Sequence, residues 1–230
     1  MTTSAVQYKL TSANACVRSA CRMGGQFALS NSLQAAAAAL QLGAKAQSVR
    51  DGMPQILPVP GRMERIALDA GVPFSVIIDY AHTPDALENL LLAVRKCKTR
   101  AGRVVLVFGC GGDRDAGKRA PMGQIASRLA DYFIVTADNS RTESTDAIIA
   151  DIVRGVDKRA HYRVLRDRES AIRHVIEHAR AGDVIVLSGK GHEQYEINQN
   201  GKHPFDERAI VERAVKEYRT GIYREQEQGE

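Results

Sequence analysis

Short apolar runs alternate with longer amphipathic segments over the part of the chain that follows residue 60. The runs are rich in β-branched residues and predict strands at residues 76–78, 104–108, 133–136, 162–165 and 184–187. Apolar residues at helical spacing predict helices around residues 84–98, 122–129, 147–153, 172–176 and 207–218. Because strands and helices alternate, we expect an α/β domain with a mostly parallel, doubly wound sheet.

The part of the chain before residue 60 has a different pattern. An alanine-rich run predicts a helix over residues 30–42, with Gly43 just past its end, and residues 48–52 predict a second, short helix. Pro54, Pro58 and Pro60 then interrupt any regular element. We therefore divide the chain into a helical segment, residues 1–60, and an α/β domain, residues 61–230.

The composition excludes several functional classes. The 230 residues are 44% apolar with a net charge of +5, as in an ordinary soluble protein. Aromatic and basic residues are rarely interleaved, so we expect no nucleic-acid partner. No apolar stretch approaches the roughly 20 residues that span a bilayer, so we expect no membrane partner, and no signal-peptide pattern is evident. The four cysteines lack CxxC spacing, which favours reduced thiols and a cytoplasmic location.

Polar loops follow four of the predicted strands, at residues 79–85, 109–119, 138–143 and 188–193. Because the carboxyl ends of parallel strands meet at one edge of a sheet, we expect these loops to form one site. The loops carry cations that suit carboxylates or phosphates, namely Arg114, Arg119, Arg141 and Lys190. Asp138 and Glu193 suit an ammonium group or a metal. This mixture favours an amino-acid zwitterion bound next to a nucleotide.

Other short patterns point to chemistry that we set aside. Residues 174–178 match HxxEH, but nothing in the sequence marks a further ligand, so we interpret them as a solvated helix face and expect no metal site. Cys110 lies among glycines without a histidine nearby in sequence, which favours a packing role. Neither a GxxxxGK[ST] phosphate loop nor a GxGxxG fingerprint occurs.

The four loops together resemble a known family. Their sequences DYAHTPD, FGCGGDRDAGKR, DNSRTE and GKGHE are similar to the C-terminal domain of the Mur ligases, above all the type that adds the third residue of the peptidoglycan stem peptide. The stretches GGQFALSN (residues 24–31) and PGRME (residues 60–64) resemble the end of that family's central domain and the crossover. The resemblance implies a Rossmann-like six-stranded sheet with helices on both faces, preceded by a helical remnant of the central domain.

The resemblance also implies two sets of site residues. The incoming amino acid would be bound by Arg114, Asp138, Asn139, Ser140, Arg141, Gly189 and Glu193. The nucleotide would be faced by Asn31, Arg62, Asp79, His82 and Thr83. Asp79 and Thr83 have a second interpretation, in which they only cap the helix that follows.

Substrates and cofactors follow from the same resemblance. An arginine at position 141 accompanies meso-diaminopimelate, so we prefer this amino acid to L-lysine. Ser140 stands where proline is usual. Because serine does not fix φ as proline does, we expect a looser loop. Full-length members use ATP and Mg²⁺ and accept a UDP-muramoyl-dipeptide, but we identify no Mg²⁺ ligands in this chain.

The missing phosphate loop limits the expected activity. Because that loop positions the transferred phosphoryl group, we expect no complete catalytic set and no ligase activity from this chain alone. It would be a piece of a longer ligase, or one half of a split enzyme completed by a second chain. The main alternative is a non-catalytic module that binds the amino acid or nucleotide, or docks with other enzymes. A ligase for polyglutamate or cyanophycin is a third possibility, against which DYAHTPD and DNSRTE argue.

Overall fold

The computed structural model describes residues 6–11, 16–21, 26–57, 59–68 and 71–227. Chain contacts separate two compact units, Met1–Val59 and Pro60–Glu230. Part of the GGQFALSN stretch, residues 24 and 25, lies outside the described residues.

The first unit combines a β-hairpin with two helices. Strand β1 (Val6–Thr11) pairs antiparallel with β2 (Cys16–Cys21), and helices α1 (Gln26–Gln41) and α2 (Ala46–Gly52) follow. Both helices were predicted, and Gly43 beyond α1 has a φ of 91°. The hairpin corrects the expectation of a purely helical segment. Its strands were missed because VQYKLT and CVRSAC are short and alternate weakly.

Strands of the second unit form a sheet and a separate hairpin. They are β3 (Glu64–Arg65), β4 (Ser75–Asp79), β5 (Val104–Phe108), β6 (Tyr132–Val135), β7 (Tyr162–Val164), β8 (Val184–Ser188), β9 (Tyr195–Asn198) and β10 (Gly201–Pro204). The six-stranded sheet has the order β3–β4–β8–β5–β6–β7, and β9 pairs with β10. Within the sheet only β3 runs antiparallel to its neighbour, so the mostly parallel prediction is confirmed.

Helices cover both faces of this sheet. They are α3 (Pro84–Cys97), α4 (Arg119–Leu129), α5 (Thr145–Val153), α6 (Arg168–Glu177) and α7 (Glu207–Glu227). Helices α3, α4 and α5 share one buried cluster with the sheet, and α6 and α7 share another. No described helix is long and apolar enough to cross a membrane.

Strand β5 shows why the sheet is covered on both sides. All of its residues are buried. Val104, Leu106 and Phe108 face the α3–α5 cluster, while Val105 and Val107 face the α6–α7 cluster. Because side chains alternate along a strand, a continuous apolar run such as this one needs a cover on each face.

The structure adds β3 and the β9–β10 hairpin to the predicted elements. Strand β3 has only two residues, both charged, and takes its form from pairing with Ile77 and Ile78 of β4. The hairpin is partly or fully exposed along its length, so it lacks the apolar signal on which prediction depends.

Candidate functional site

Strand register brings the four polar loops to one edge of the sheet. Ser188, the last residue of β8, pairs with Asp79 of β4 on one side and with Phe108 of β5 on the other. Phe108 in turn pairs with Val135, the last residue of β6. These strand ends form a row, so the loops that follow them start side by side, as the sequence predicts.

Gly112 lets the loop after β5 contact the loop after β6. A Cβ atom at Gly112 would lie 2.0 Å from the carbonyl oxygen of Ser140, closer than any real contact. The Gly112 N–H also donates to the carbonyl oxygen of Asn139 at 2.9 Å. The absence of a side chain here therefore serves loop packing.

The three loop arginines differ in what they contact. Arg119 is buried and pairs with Glu143 at 2.8 Å and Asp151 at 2.9 Å, so its charge is already compensated. Arg114 is exposed and donates to the carbonyl oxygen of Asp113 at 3.2 Å. Arg141 is half-buried. Only Arg114 and Arg141 are therefore placed to meet an anion from solvent.

Arg141 is held in an uncommon backbone conformation. Its φ of 53° is in the left-handed region, where a non-glycine residue is strained. The surrounding loops impose this, because the Arg141 N–H donates to Ile197 at 3.0 Å and its Nη1 donates to the carbonyl oxygens of Gly112 (2.8 Å) and Asn139 (3.2 Å). The guanidinium is thereby oriented before any ligand arrives.

Asp113 strengthens the contact between the same two loops. Its carboxylate accepts hydrogen bonds from the N–H (3.1 Å) and hydroxyl (2.8 Å) of Thr142. These bonds, with the nearby charges of Arg141 and Arg114, hold the pKa of Asp113 below its usual value. Ser140 is buried and its carbonyl oxygen accepts from the N–H of Glu143, so the loop is a closed turn even with serine in place of proline.

Asn139 is hydrogen-bonded on both sides of its amide. Its Nδ2 donates to Oε2 of Glu193 at 2.8 Å, and its Oδ1 accepts from Lys190 Nζ (3.1 Å) and the Ile197 N–H (2.9 Å). Asn139 is 6% exposed. The loops after β6 and β8 are thus joined through this one side chain.

Asp138 is buried against two cations. Its carboxylate lies 3.4 Å from Lys190 Nζ and accepts from the Asn139 N–H at 2.8 Å. Burial by itself raises the pKa of Asp138, but the charges of Lys190 and Arg168 outweigh it, so the pKa lies below its usual value. A Cβ at Gly189, whose φ is 119°, would lie 3.1 Å from Asp138. Asp138 and Gly189 therefore pack against each other where the loops after β6 and β8 meet.

Asp79 and Thr83 have distinct local roles in the loop after β4. Thr83 accepts from the Ala86 N–H at 3.3 Å and caps α3, with Pro84 at the first helical position. Asp79 instead accepts from the N–H groups of Met63 and Ala81, each at 2.7 Å. Thr83 thus caps α3, while Asp79 anchors the segment that carries Arg62.

Tyr80 is the centre of a small cluster that includes two of the predicted nucleotide residues. The Arg62 guanidinium lies 4.6 Å from the Tyr80 ring centroid, and His82 meets the ring edge-on at 4.6 Å. Nδ1 of His82 is 2.8 Å from the Tyr80 carbonyl oxygen. His192 of the GKGHE loop lies 5.5 Å from the same ring. Arg62, Asp79, His82 and Thr83 are therefore neighbours.

Asn31 belongs to the first unit. It is exposed on α1.

The HxxEH pattern does bring its side chains together. The ligand atoms of His174 and Glu177 on α6, and of His178 directly after it, lie within 4.8 Å of one another. Glu177 and His178 are exposed. Burial, His178 and Arg163 lower the pKa of His174. Residue 174 and those after it lie toward the end of α6, whereas Arg168 at its start contacts the loop edge. The cluster is therefore separate from the four-loop site.

Sequence reasoning missed the residues that hold the site from within. Arg168 is fully buried, and its guanidinium bonds Glu207 (2.8 Å) and the Ser188 carbonyl oxygen (2.9 Å). Lys190, which the sequence predicts to be a ligand-binding cation, is fully buried too. Neither role has a local signal, because Arg168 bonds Ser188 and Lys190 bonds Asn139, partners that are 20 and 51 residues away.

A family model for the Mur ligase glutamate ligase domain matches residues 61–191, more than half of the 230 residues. The chain belongs to the Mur ligase family. The resemblance seen in the four loop motifs is thereby confirmed.

Individual Mur ligases match over most of this chain. The UDP-N-acetylmuramoyl-L-alanyl-D-glutamate–2,6-diaminopimelate ligases of Syntrophomonas wolfei and of a Nostoc species are 44% and 47% identical to it, over 81% and 84% of its length. A solved structure of a ligase with that name covers 91% of the chain with a TM-score of 0.65 at 37% identity. The chain spans about two fifths of these relatives, 38% of both curated proteins and 42% of the solved chain.

Proposed function

We propose that the second unit is the amino-acid-binding part of an ATP-dependent ligase of peptidoglycan synthesis. The full reaction adds the third residue of the stem peptide to UDP-N-acetylmuramoyl-L-alanyl-D-glutamate. Family membership and relatives named diaminopimelate ligases support this proposal. The observation that carries it is that Asn139 holds two opposite charges. Its backbone carbonyl oxygen accepts from the Arg141 guanidinium, and its side-chain NH₂ group donates to the Glu193 carboxylate.

Opposite charges held in this way suit a zwitterion. Arg114 and Arg141 bind carboxylates, because a guanidinium offers paired donors to two oxygens. Glu193 binds an ammonium group. Asp138 acts through Lys190 and Asn139 rather than by direct contact, since its carboxylate is buried between them. Ser140 and Gly189 contribute the shape of the loops.

Arg141 favours meso-diaminopimelate over L-lysine. The distal end of meso-diaminopimelate carries a carboxylate beside its ammonium group, whereas that of lysine carries an ammonium group alone. A guanidinium attracts the first and repels the second. Arg141 makes no hydrogen bond through Nη2 to any residue that the structure describes, so that nitrogen remains for the ligand.

The loop after β4 is proposed to face ATP. Arg62 supplies a cation for phosphate oxygens, and His82 and Thr83 supply hydrogen-bonding groups, with Asp79 holding the segment in place. Asn31 is assigned to the adenine on the resemblance alone. The described residues of this site do not fit Mg²⁺, because Asp79 is held by the N–H groups of Met63 and Ala81 and no group of three metal-ligating side chains is found there among the described residues. No step is therefore assigned to the ion.

In the proposed reaction the acceptor carboxylate is first phosphorylated by ATP. The amine of the bound amino acid then attacks the acyl phosphate, an amide forms and phosphate leaves. This chain contributes binding and orientation of the amine. Since the sequence contains no GxxxxGK[ST] loop, the proposal includes no phosphate release by these 230 residues alone. A cytoplasmic location is part of the same proposal.

Calorimetry tests the proposal directly. The chain is titrated with meso-diaminopimelate, L-lysine and ATP, and then the Arg141→Ala variant is titrated in the same way. We expect meso-diaminopimelate to bind more tightly than L-lysine and Arg141→Ala to remove the preference. Arg159→Ala is the matched control, because Arg159 is an exposed arginine that pairs with Asp157. Equal discrimination by Arg141→Ala and the parent chain would contradict the assignment.

A further inference from the structure

Lys190 lies beneath the proposed amino-acid site without any route to solvent. Its side chain is 0% exposed. The ammonium group donates to Asn139 Oδ1 at 3.1 Å and to the carbonyl oxygen of Tyr195 at 3.0 Å, and it lies 3.4 Å from Asp138. A cation so enclosed cannot reach a bound ligand. Its function must be exerted through the groups that it contacts.

We propose that Lys190 is a positioning residue, which sets the orientation of the Asn139 amide and thereby holds Glu193 ready for the ammonium group of the substrate. This inference rests on the proposed function for the identity of the ligand. The relay from Lys190 to Asn139 to Glu193 is a property of the chain itself and is tested separately.

The first step of the relay follows from donor and acceptor rules. An ammonium group can only donate hydrogen bonds, so Asn139 must turn its oxygen toward Lys190. The Ile197 N–H, also a donor, contacts the same oxygen at 2.9 Å. With both donors on one side, the reversed amide would place its NH₂ group against two donors. The amide therefore has one acceptable orientation.

The second step carries this orientation to Glu193. The Asn139 NH₂ group faces Oε2 of Glu193 at 2.8 Å. A carboxylate accepts hydrogen bonds from that group, whereas the amide oxygen would repel it. Lys190, together with the Ile197 N–H, thus keeps the Asn139 NH₂ group turned toward Glu193.

A carboxylate and an aromatic ring surround the Lys190 ammonium group. Asp138 is the buried counter-charge, and the ring of Phe205 lies 5.3 Å from the ammonium nitrogen. The Tyr195 carbonyl oxygen belongs to β9. The Lys190 ammonium group therefore also connects the β9–β10 hairpin to Asn139 in the loop after β6. A buried charge without its partner would be costly, which makes the choice of variant important.

The test variant is therefore designed to remove the donor without leaving either member of the buried pair isolated. Lys190→Met/Asp138→Asn deletes both members of the buried pair and keeps their approximate volumes. Asp138→Asn alone is its reference. Lys98→Met is the matched control, because Lys98 also donates to backbone carbonyl oxygens, those of Thr99 and Gly102, but lies beyond the end of α3. Thermal unfolding establishes that each variant folds.

Two readouts separate the relay from general loosening. The first is the NMR signal of the Asn139 side-chain NH₂ group in the ¹⁵N-labelled chain, identified by its loss in Asn139→Asp. We expect this signal to move in Glu193→Gln and again in Lys190→Met/Asp138→Asn relative to Asp138→Asn. Lys98→Met is expected to leave it in place. An Asn139 NH₂ signal at the same position in Lys190→Met/Asp138→Asn and in Asp138→Asn would overturn the relay.

The second readout is the affinity for meso-diaminopimelate. Loss of one hydrogen bond to a charged group corresponds to a decrease of about tenfold or more. We expect that decrease for the double variant relative to Asp138→Asn, and none for Lys98→Met. If the parent chain binds no amino acid, the proposed function fails while the NMR result still decides the relay. Unchanged affinity in the double variant would refute the positioning role.

Discussion

The side-chain amide of Asn139 donates a hydrogen bond of 2.8 Å to the carboxylate of Glu193 and so joins two loops that are 54 residues apart in sequence. The backbone carbonyl oxygen of Asn139 accepts a hydrogen bond of 3.2 Å from Nη1 of Arg141. One residue therefore holds a cation and an anion in fixed positions. Preorganisation of this kind lowers the cost of binding a charged ligand.

Asn139→Asp tests this arrangement with an isosteric change. The new carboxylate keeps the contact with Lys190, but it replaces the donor to Glu193 with a group of like charge, which repels the Glu193 carboxylate. We expect the affinity for meso-diaminopimelate at pH 7 to fall by about tenfold or more. Calorimetry provides the measurement, and Asn200→Asp in the exposed hairpin turn is the control. Parent-like affinity in Asn139→Asp would show that the bond has no role in binding.

Gly112→Ala tests the contact between the loops after β5 and β6. Its Cβ would meet the Ser140 carbonyl oxygen at 2.0 Å, so one loop must move. We expect a loss of about 1–3 kcal/mol in the free energy of unfolding. Gly221→Ala in α7, where a Cβ meets nothing within 4 Å, is the control and is expected to be neutral or slightly stabilising. Urea denaturation measures both, and equal stabilities would contradict the close approach.

Asp183, which lies outside the four-loop site, makes the free energy of unfolding depend on pH. Burial raises the pKa of Asp183, but hydrogen bonds from the Arg103 side chain and from the N–H groups of Arg180 and Arg103 outweigh it, so the pKa is lowered. A lowered pKa means that the stabilisation is complete above the ordinary carboxyl value, about 3.9, and is lost as the pH falls from there toward the folded value.

Asp183→Asn is expected to cost about 2 kcal/mol at pH 7 and to make stability less sensitive to acid. Unfolding in urea at a series of pH values between neutral and about 3 measures both effects. Asp146→Asn is the control, because Asp146 and its partner Arg166 are both exposed and such pairs contribute little. An acid dependence as steep as that of the parent would refute the role of Asp183.

Cys110 is expected to resist thiol reagents in the folded chain. Burial raises its pKa to about 12, and its sulfur packs 3.6 Å from Met122 Sδ. The thiolate, which is the reactive form, is therefore scarce at neutral pH. Cys97 is exposed and should be alkylated readily. Peptide mapping after brief iodoacetamide treatment tests this difference, which denaturation should abolish. Rapid native labelling of Cys110 would contradict the packing role.

The HxxEH cluster is expected to bind zinc weakly. His174 is only partly buried, Glu177 and His178 are exposed, and Arg163 is a nearby positive charge. Tight structural zinc sites normally present four fixed ligands. Metal analysis of the purified chain should find no stoichiometric zinc, and removal of metal with a chelator should leave the unfolding midpoint unchanged. His174→Ala/His178→Ala provides the baseline. One zinc ion per chain would overturn this expectation.

Local patterns predicted those features whose causes are local. Thr83 followed by Pro84 predicted the start of α3, where Thr83 indeed caps the helix. The apolar run 104–108 predicted β5, which is buried along its whole length. Strand β3 and the β9–β10 hairpin escaped prediction, because their residues form strands only when paired with a partner.

Charged residues in the loops were predicted as a group but not individually. Arg114 and Arg119 are five positions apart in one motif, yet Arg114 is exposed and Arg119 is buried between Glu143 and Asp151. Lys190 and Glu193 likewise share one motif, and only Lys190 is enclosed. Burial depends on what the rest of the chain places around a residue, which spacing within a motif does not specify.

The sequence by itself determined the alternation of strands and helices, the edge at which polar loops collect, and the motifs that mark the family. These properties depend on apolar period, helix capping and residue identity, all of which are local. Only the tertiary structure decided which cations stay available to a ligand and which ones hold the loops together. That decision requires the distances from Asn139 to Lys190, Glu193 and Arg141, and these arise when separate strands align in one sheet.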